Sequence, residues 1–177
     1  MELRKRTLVV LKGCLLFLFL GALVACQSSF FSYRGATAEQ ESRIALPEGG
    51  PHKGFFRTKD LSMHYRYLRD LDNLRLSGVV ELDDSLKYNF RSIEYLFLQV
   101  NLLDAEGKVL ESKLVLTSDH LQLIEELPFK RSLELPPGTT AIAFSYTGRV
   151  REGGGTGRVL EDAGDGDSWD FWMTPFR

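Results

Sequence analysis

Between Leu61 and Tyr146 apolar residues recur at every second position. Leu61, Met63, Tyr65 and Tyr67 alternate with polar neighbours, and Leu74, Leu76, Gly78, Val80 and Leu82 alternate with Arg75, Ser77, Val79 and Glu81. Leu96, Leu98, Val100 and Leu102 keep the same period against Phe97, Gln99 and Asn101. A two-residue period puts one set of side chains on each face of a strand. Asp104-Ala105-Glu106-Gly107 then marks a tight turn, in which Gly107 takes a positive φ and Asp104 bonds back to the turn backbone. The partner strand runs from Val109 to Thr117, with Leu110, Leu114 and Leu116 expected on one face. Residues 118–127 are ambiguous: Asp119 could cap one helical turn within irregular structure, the reading preferred here, but Leu121 and Leu123 also fit a strand. A strand from Phe129 to Leu135 ends at Pro136-Pro137-Gly138, because neither proline can donate to a ladder, and Ile142, Phe144 and Tyr146 give another. Six short strands with turn signals and almost no helix predict an all-β fold, an antiparallel immunoglobulin-like β-sandwich. No internal repeat suggests a solenoid or propeller.

The N-terminus follows a different rule. Arg4, Lys5, Arg6 and Lys12 precede twelve uncharged residues, Gly13 to Val24, that include Leu15-Leu16-Phe17-Leu18-Phe19-Leu20. A basic region, a short apolar core and small residues at the end make a secretory signal. The run is shorter than the roughly 20 apolar residues a spanning helix needs. Leu23-Val24-Ala25-Cys26 resembles the lipobox of bacterial lipoproteins, with residues 1–25 as the signal peptide. The resemblance implies cleavage before Cys26, a diacylglyceryl group on its sulfur and a further acyl chain, such as palmitate, on its amine. Burial gains about 0.8 kcal/mol per CH₂, so two or three chains hold a protein firmly. Gln27, rather than Asp, follows the Cys, which by the sorting rule of Gram-negative lipoproteins implies the outer membrane.

The first 25 residues carry four of the 22 basic and one of the 24 acidic side chains, leaving a formal net of −5 after cleavage. No basic cluster is evident in the remaining sequence, which argues against nucleic acid as a partner. Cys14 leaves with the signal and Cys26 is acylated, so no disulfide is expected. Residues 26–54 are mostly polar, with few apolar residues and Phe30, Phe31 and Tyr33 as the aromatic exceptions, and are expected to form a flexible tether, with the β-sandwich domain occupying 55–177.

Ser77-Gly78-Val79-Val80, the stretch from Leu98 to Leu110, and Leu135-Pro136-Pro137-Gly138 resemble the FxLyD-type immunoglobulin-like domains of exported bacterial proteins. Leu102-Leu103-Asp104 fits their motif, whereas Val100 stands where the motif has Phe. The resemblance implies a fold and an envelope setting, and no activity.

Catalytic chemistry is not advertised. His52, His64 and His120 are scattered, no nucleophile elbow or His-Glu-x-x-His motif occurs, and no catalytic residue or cofactor beyond the lipid is expected. Asp83-Asp84 and Glu125-Glu126 read as solvated edges rather than acid–base pairs. In the tail, Asp162, Asp165, Asp167 and Asp170 on a Gly-rich stretch could supply oxygen ligands to calcium, although the EF-hand pattern is missing; a hydrated acidic loop is the plain reading. Trp169, Phe171 and Trp172 either close the core or form a platform for a ligand or partner, with Trp169 and Phe171 on one face of a strand and Trp172 on the other.

The expected function is that of a lipoprotein anchored in the outer membrane and acting as a non-catalytic accessory or binding module, its partner another envelope protein. The alternative is a carbohydrate- or peptidoglycan-binding module that uses the C-terminal aromatics.

Overall fold

The computed structural model describes residues 32–122, 126–152 and 167–176. Cys26 and the rest of 1–31 lie outside these. The described residues form an antiparallel, all-β sandwich of nine strands with one short α-helix and one 3₁₀ turn, Gln40–Ser42. The strands are β1 (Ile44–Ala45), β2 (Gly49–Arg57), β3 (Leu61–Asp70), β4 (Asn73–Leu82), β5 (Ser92–Leu103), β6 (Val109–Gln122), β7 (Leu127–Glu134), β8 (Ala141–Arg151) and β9 (Ser168–Met173). The helix α1 covers Asp84–Asn89.

One sheet has the order β2-β3-β4-β7 and the other β1-β8-β5-β6, with β9 also on β8. The chain crosses between sheets from β4 to β5 and back again, from β6 to β7, then over once more from β7 to β8. Because β4 pairs antiparallel with β7 and β5 with β6, the β4–β5 and β6–β7 crossings lie at the same end of the two sheets, while the β7–β8 crossing lies at the other end. The architecture is the antiparallel all-β sandwich expected from the alternation. Leu61, Met63, Leu76 and Val80 of one sheet meet Leu96, Leu98, Val100 and Phe144 of the other in the core. Inside it, the Tyr146 hydroxyl donates to Asp60 Oδ2 at 2.8 Å and lies 2.8 Å from Thr58 Oγ1, so these buried polar groups satisfy one another.

Four expectations need correction. First, the domain does not begin at Phe55. Residues 33–54, expected within a flexible tether, are part of the folded body. Gly35 N–H donates to Val109 O at 2.9 Å, Val109 N–H to Ala36 O at 2.8 Å and Ala38 N–H to Gly107 O at 2.8 Å, which sews the segment onto the β5–β6 turn. Tyr33, Ala36, Ala38 and Phe176 pack with Leu103, Val109 and Ala143 as a second small core. Further on, β1 pairs with β8, while Tyr67 and Arg69 of β3 donate to the carbonyls of Ala45 and Leu46. Its main-chain bonds carry no compositional signature, and the side chains that help them, from Tyr33, Ala36, Ala38, Ile44 and Leu46, are scattered among polar residues, so the stretch reads as a linker.

Second, β6 continues as strand to Gln122, so of the two readings of this stretch the strand holds there rather than the preferred irregular structure with a helical turn. Third, Leu114 and Leu116 do not share a face. Leu98 pairs with Leu116 and Gln99 with Leu114, so β6 carries one extra residue there. This bulge sends Leu116 into the core and leaves Leu114 43% exposed. Fourth, Asp83 is no strand edge: it caps α1, accepting the Ser85 N–H at 2.9 Å, and this hydrogen bond holds its carboxyl below the ordinary carboxylate value.

The expected turn at Asp104–Gly107 is present. Asp104 Oδ1 accepts from Glu106 and Lys108 N–H at 3.1 and 2.8 Å, and Gly107 has φ 87°.

Candidate functional site

The last strand defines the candidate site. β9 pairs antiparallel with β8, setting Trp169 opposite Val150, Asp170 opposite Arg149, Phe171 opposite Gly148 and Trp172 opposite Thr147. Gly148 fixes this register: a β-carbon there would overlap the Phe171 ring. The missing side chain lets Phe171 drop into the core, where it is 2% exposed and 6.1 Å from the Tyr146 ring. With Phe171 pointing inward, alternation sends Asp170 and Trp172 to the outer face of the sheet.

Outside, Asp170 is held by a fork from Arg149, with Nε to Oδ1 at 2.7 Å and a terminal nitrogen to Oδ2 at 2.9 Å. The same guanidinium lies over the Tyr95 ring, 5.6 Å from its centroid, and the Tyr95 hydroxyl donates to Asp170 Oδ1 at 3.3 Å. Tyr95 stacks on Phe97 with centroids 5.3 Å apart. The hydrogen bonds from Arg149 are the main cause holding the Asp170 carboxyl below its ordinary value, and in return they raise the guanidinium's. Desolvation first, then the Asp170 charge, raises the Tyr95 hydroxyl.

Trp169 and Trp172 are 62% and 63% exposed, so neither ring is core. They leave opposite faces of the strand and thus form no joint platform, and Phe171 belongs to neither exposed surface. Between them runs the outer edge of β9, to which no described strand is hydrogen-bonded. The chemistry available is a strand edge to which, among the described residues, no further strand is paired, flanked above and below by an indole.

The remaining expected site residues are placed as follows. Asp162 and Asp165 lie outside the described residues, as does Cys26. Asp167 accepts the Glu152 N–H through its backbone carbonyl, and Asp170 is committed to Arg149. Among the described residues no group of three or more His, Cys, Asp or Glu is placed to hold a metal. Arg149, Tyr95 and Phe97 escaped the sequence reading; the signal was available, since Tyr95 and Phe97 are the off-core positions of a strong strand period.

The class this architecture defines is the antiparallel two-sheet β-sandwich. No family model, curated protein or solved structure matches the chain.

Proposed function

We propose that the protein is a bacterial lipoprotein of the outer membrane that serves as a non-catalytic binding module, docking a strand of another envelope protein on the free edge of β9. The observation that carries this reading is the pair of exposed indoles, Trp169 and Trp172, on either side of a strand edge that no described strand pairs. Strand addition gains affinity from main-chain hydrogen bonds and specificity from side chains on both faces. Exposed Trp is the residue type most enriched where such interfaces concentrate their energy. The alternative of a sugar platform needs adjacent coplanar rings, which residues 169 and 172 of one strand do not supply.

The anchor belongs to the same proposal and rests on Leu23-Val24-Ala25-Cys26 together with the FxLyD likeness. Tyr33 is already bonded to Ser112 through its N–H, so seven residues, 26–32, separate Cys26 from the folded body. Seven residues reach at most about 25 Å, so the sandwich would ride close to the bilayer.

Two measurements test the reading. Labelled palmitate should enter the wild type and not Cys26→Ala, which should leave the membrane fraction. Cross-linking in intact cells should give a discrete protein adduct that is lost in Trp169→Ala/Trp172→Ala while that variant stays folded and membrane-bound. An adduct indifferent to both substitutions, or none at all, would sink the β9 site.

A further inference from the structure

The outer face of the β2-β3-β4-β7 sheet is built unlike the rest of the surface. One register row crosses all four strands, with Lys53 opposite Arg66, Arg66 opposite Ser77 and Ser77 opposite Lys130. At about 4.8 Å per strand, three steps make this row about 14 Å long. Arg75 stands in the next row, between Leu68 and Ser132. All four cations are exposed, and among the described residues none of them forms an ion pair. This occurs in a chain whose formal net charge is −2.

The small side chain of Ser77 lowers the surface in the middle of the row. Two adjoining depressions, of about 540 and 290 Å³, both reach Arg66, Ser77 and Lys130. On the far side of the row run Phe55, His64, Val79 and Pro128, again in register. The Phe55 ring is half exposed and lies 4.6 Å from His64. A line of cations therefore borders a line of apolar and aromatic groups.

We propose that this trough binds an anionic glycan, its carboxylate or phosphate groups held by Lys53, Arg66, Arg75 and Lys130 and a sugar face laid against Phe55 and His64. The site is on the other sheet from β9 and stands whether or not β9 docks a partner. Three features select a glycan over an acidic protein segment or a lipid surface. The backbone of a sheet face is spent in the ladder, so recognition must come from side chains, and these offer charge and one ring rather than a deep apolar socket. Two of the four cations are lysines, which the cores of protein interfaces deplete. A bilayer is flat and does not enter a trough floored by Ser77, whereas the larger depression has the volume of a small-ligand site.

The test is a titration of the full chain in neutral detergent with polygalacturonate at low salt. Amylose, polyglutamate and phosphatidylcholine vesicles containing phosphatidylglycerol are the other arms. Polygalacturonate should bind best, and Arg66→Gln/Lys130→Gln should weaken it by about tenfold or more, the scale of losing charge-assisted hydrogen bonds. Ser77→Tyr, which fills the trough and keeps every charge, should weaken it as well. Equal binding of amylose, no binding, or indifference to both variants overturns the proposal. Preference for polyglutamate replaces the glycan by an acidic protein segment, and preference for vesicles replaces it by a lipid surface; each also overturns it.

Discussion

The Phe171 ring occupies the space in which a β-carbon on Gly148 would stand, so the two residues function as a single side chain shared between β8 and β9. Gly148→Ala is expected to push Phe171 out of the core and loosen β9. Losing the burial of a Phe costs about 3–5 kcal/mol at its upper limit, and partial displacement a fraction of that. Denaturant unfolding should show the loss, and near-ultraviolet circular dichroism should show Trp169 and Trp172 losing their fixed environment.

Tyr146 gives the chain an alkaline limit. Burial first, and the adjacent Asp60, push its hydroxyl above the ordinary value of 10.0, with the Thr58 hydrogen bond working against them. A folded-state value above the unfolded one means a contribution fully present below pH 10 and lost as the pH climbs through the folded-state value. Tyr146→Phe should cost about 1–3 kcal/mol at neutral pH by leaving Asp60 without its donor, and should shrink the alkaline loss. Some loss should persist, because Tyr65 and Tyr67 are shifted in the same direction by burial.

Asp170 titrates the other way. With its carboxyl held below the ordinary 3.8 by Arg149, its contribution is present above that value and is lost as the pH falls through the depressed one. Both side chains are more than a third exposed, so solvent screens the pair and the change in global stability should be slight. The readout is local. Tyr95 ring resonances should shift with an acid midpoint below 3.8, and Asp170→Asn should abolish that shift.

Gly107 is constrained twice, by φ 87° and by the Arg43 side chain lying where its β-carbon would be. The positive φ alone costs about 1–2 kcal/mol for a residue with a side chain. Gly107→Ala should lose more than that, and adding Arg43→Ala should recover only the steric part. A full recovery in the double-mutant cycle would show that the turn tolerates the dihedral and that Arg43 alone excludes the side chain.

The amides of Gly35, Ala38 and Leu46 donate to Val109, Gly107 and Thr140. Hydrogen exchange should therefore protect them to a degree that a free linker never reaches. Exchange at random-coil rates would return 33–46 to the tether.

Much of this was legible beforehand, and for physical reasons. Where a strand buries one face, the pleat writes itself into the sequence, as at Leu61–Tyr67; along Leu96–Leu102 the same period holds although the polar Gln99 and Asn101 are buried on the other face. The Asp104–Gly107 turn was legible because its backbone demands particular residues. What escaped was held by other means. The Tyr33–Ala38 segment is fixed by main-chain bonds and a few side chains, and the two register shifts of β6 are defects in a period that otherwise looks intact. At the site, the spacing of 169, 171 and 172 foretold their faces; which of them is buried depended on Gly148, more than twenty positions away.

One consequence remains in the seam between the two ends of the described body. Ala38 bridges Phe176, the Glu39 N–H donates to Pro175 O at 2.8 Å, and the Tyr33 ring meets that of Phe176 at 4.7 Å. If a partner pulls on β9 while a lipid holds the other end, the tension runs from Met173 through this seam and out at Tyr33. The β8–β9 ladder, tied to the core by Phe171, shares that load. The seam would then act as a mechanical fuse, its few hydrogen bonds at the margin unzipping before the packed layers gave way.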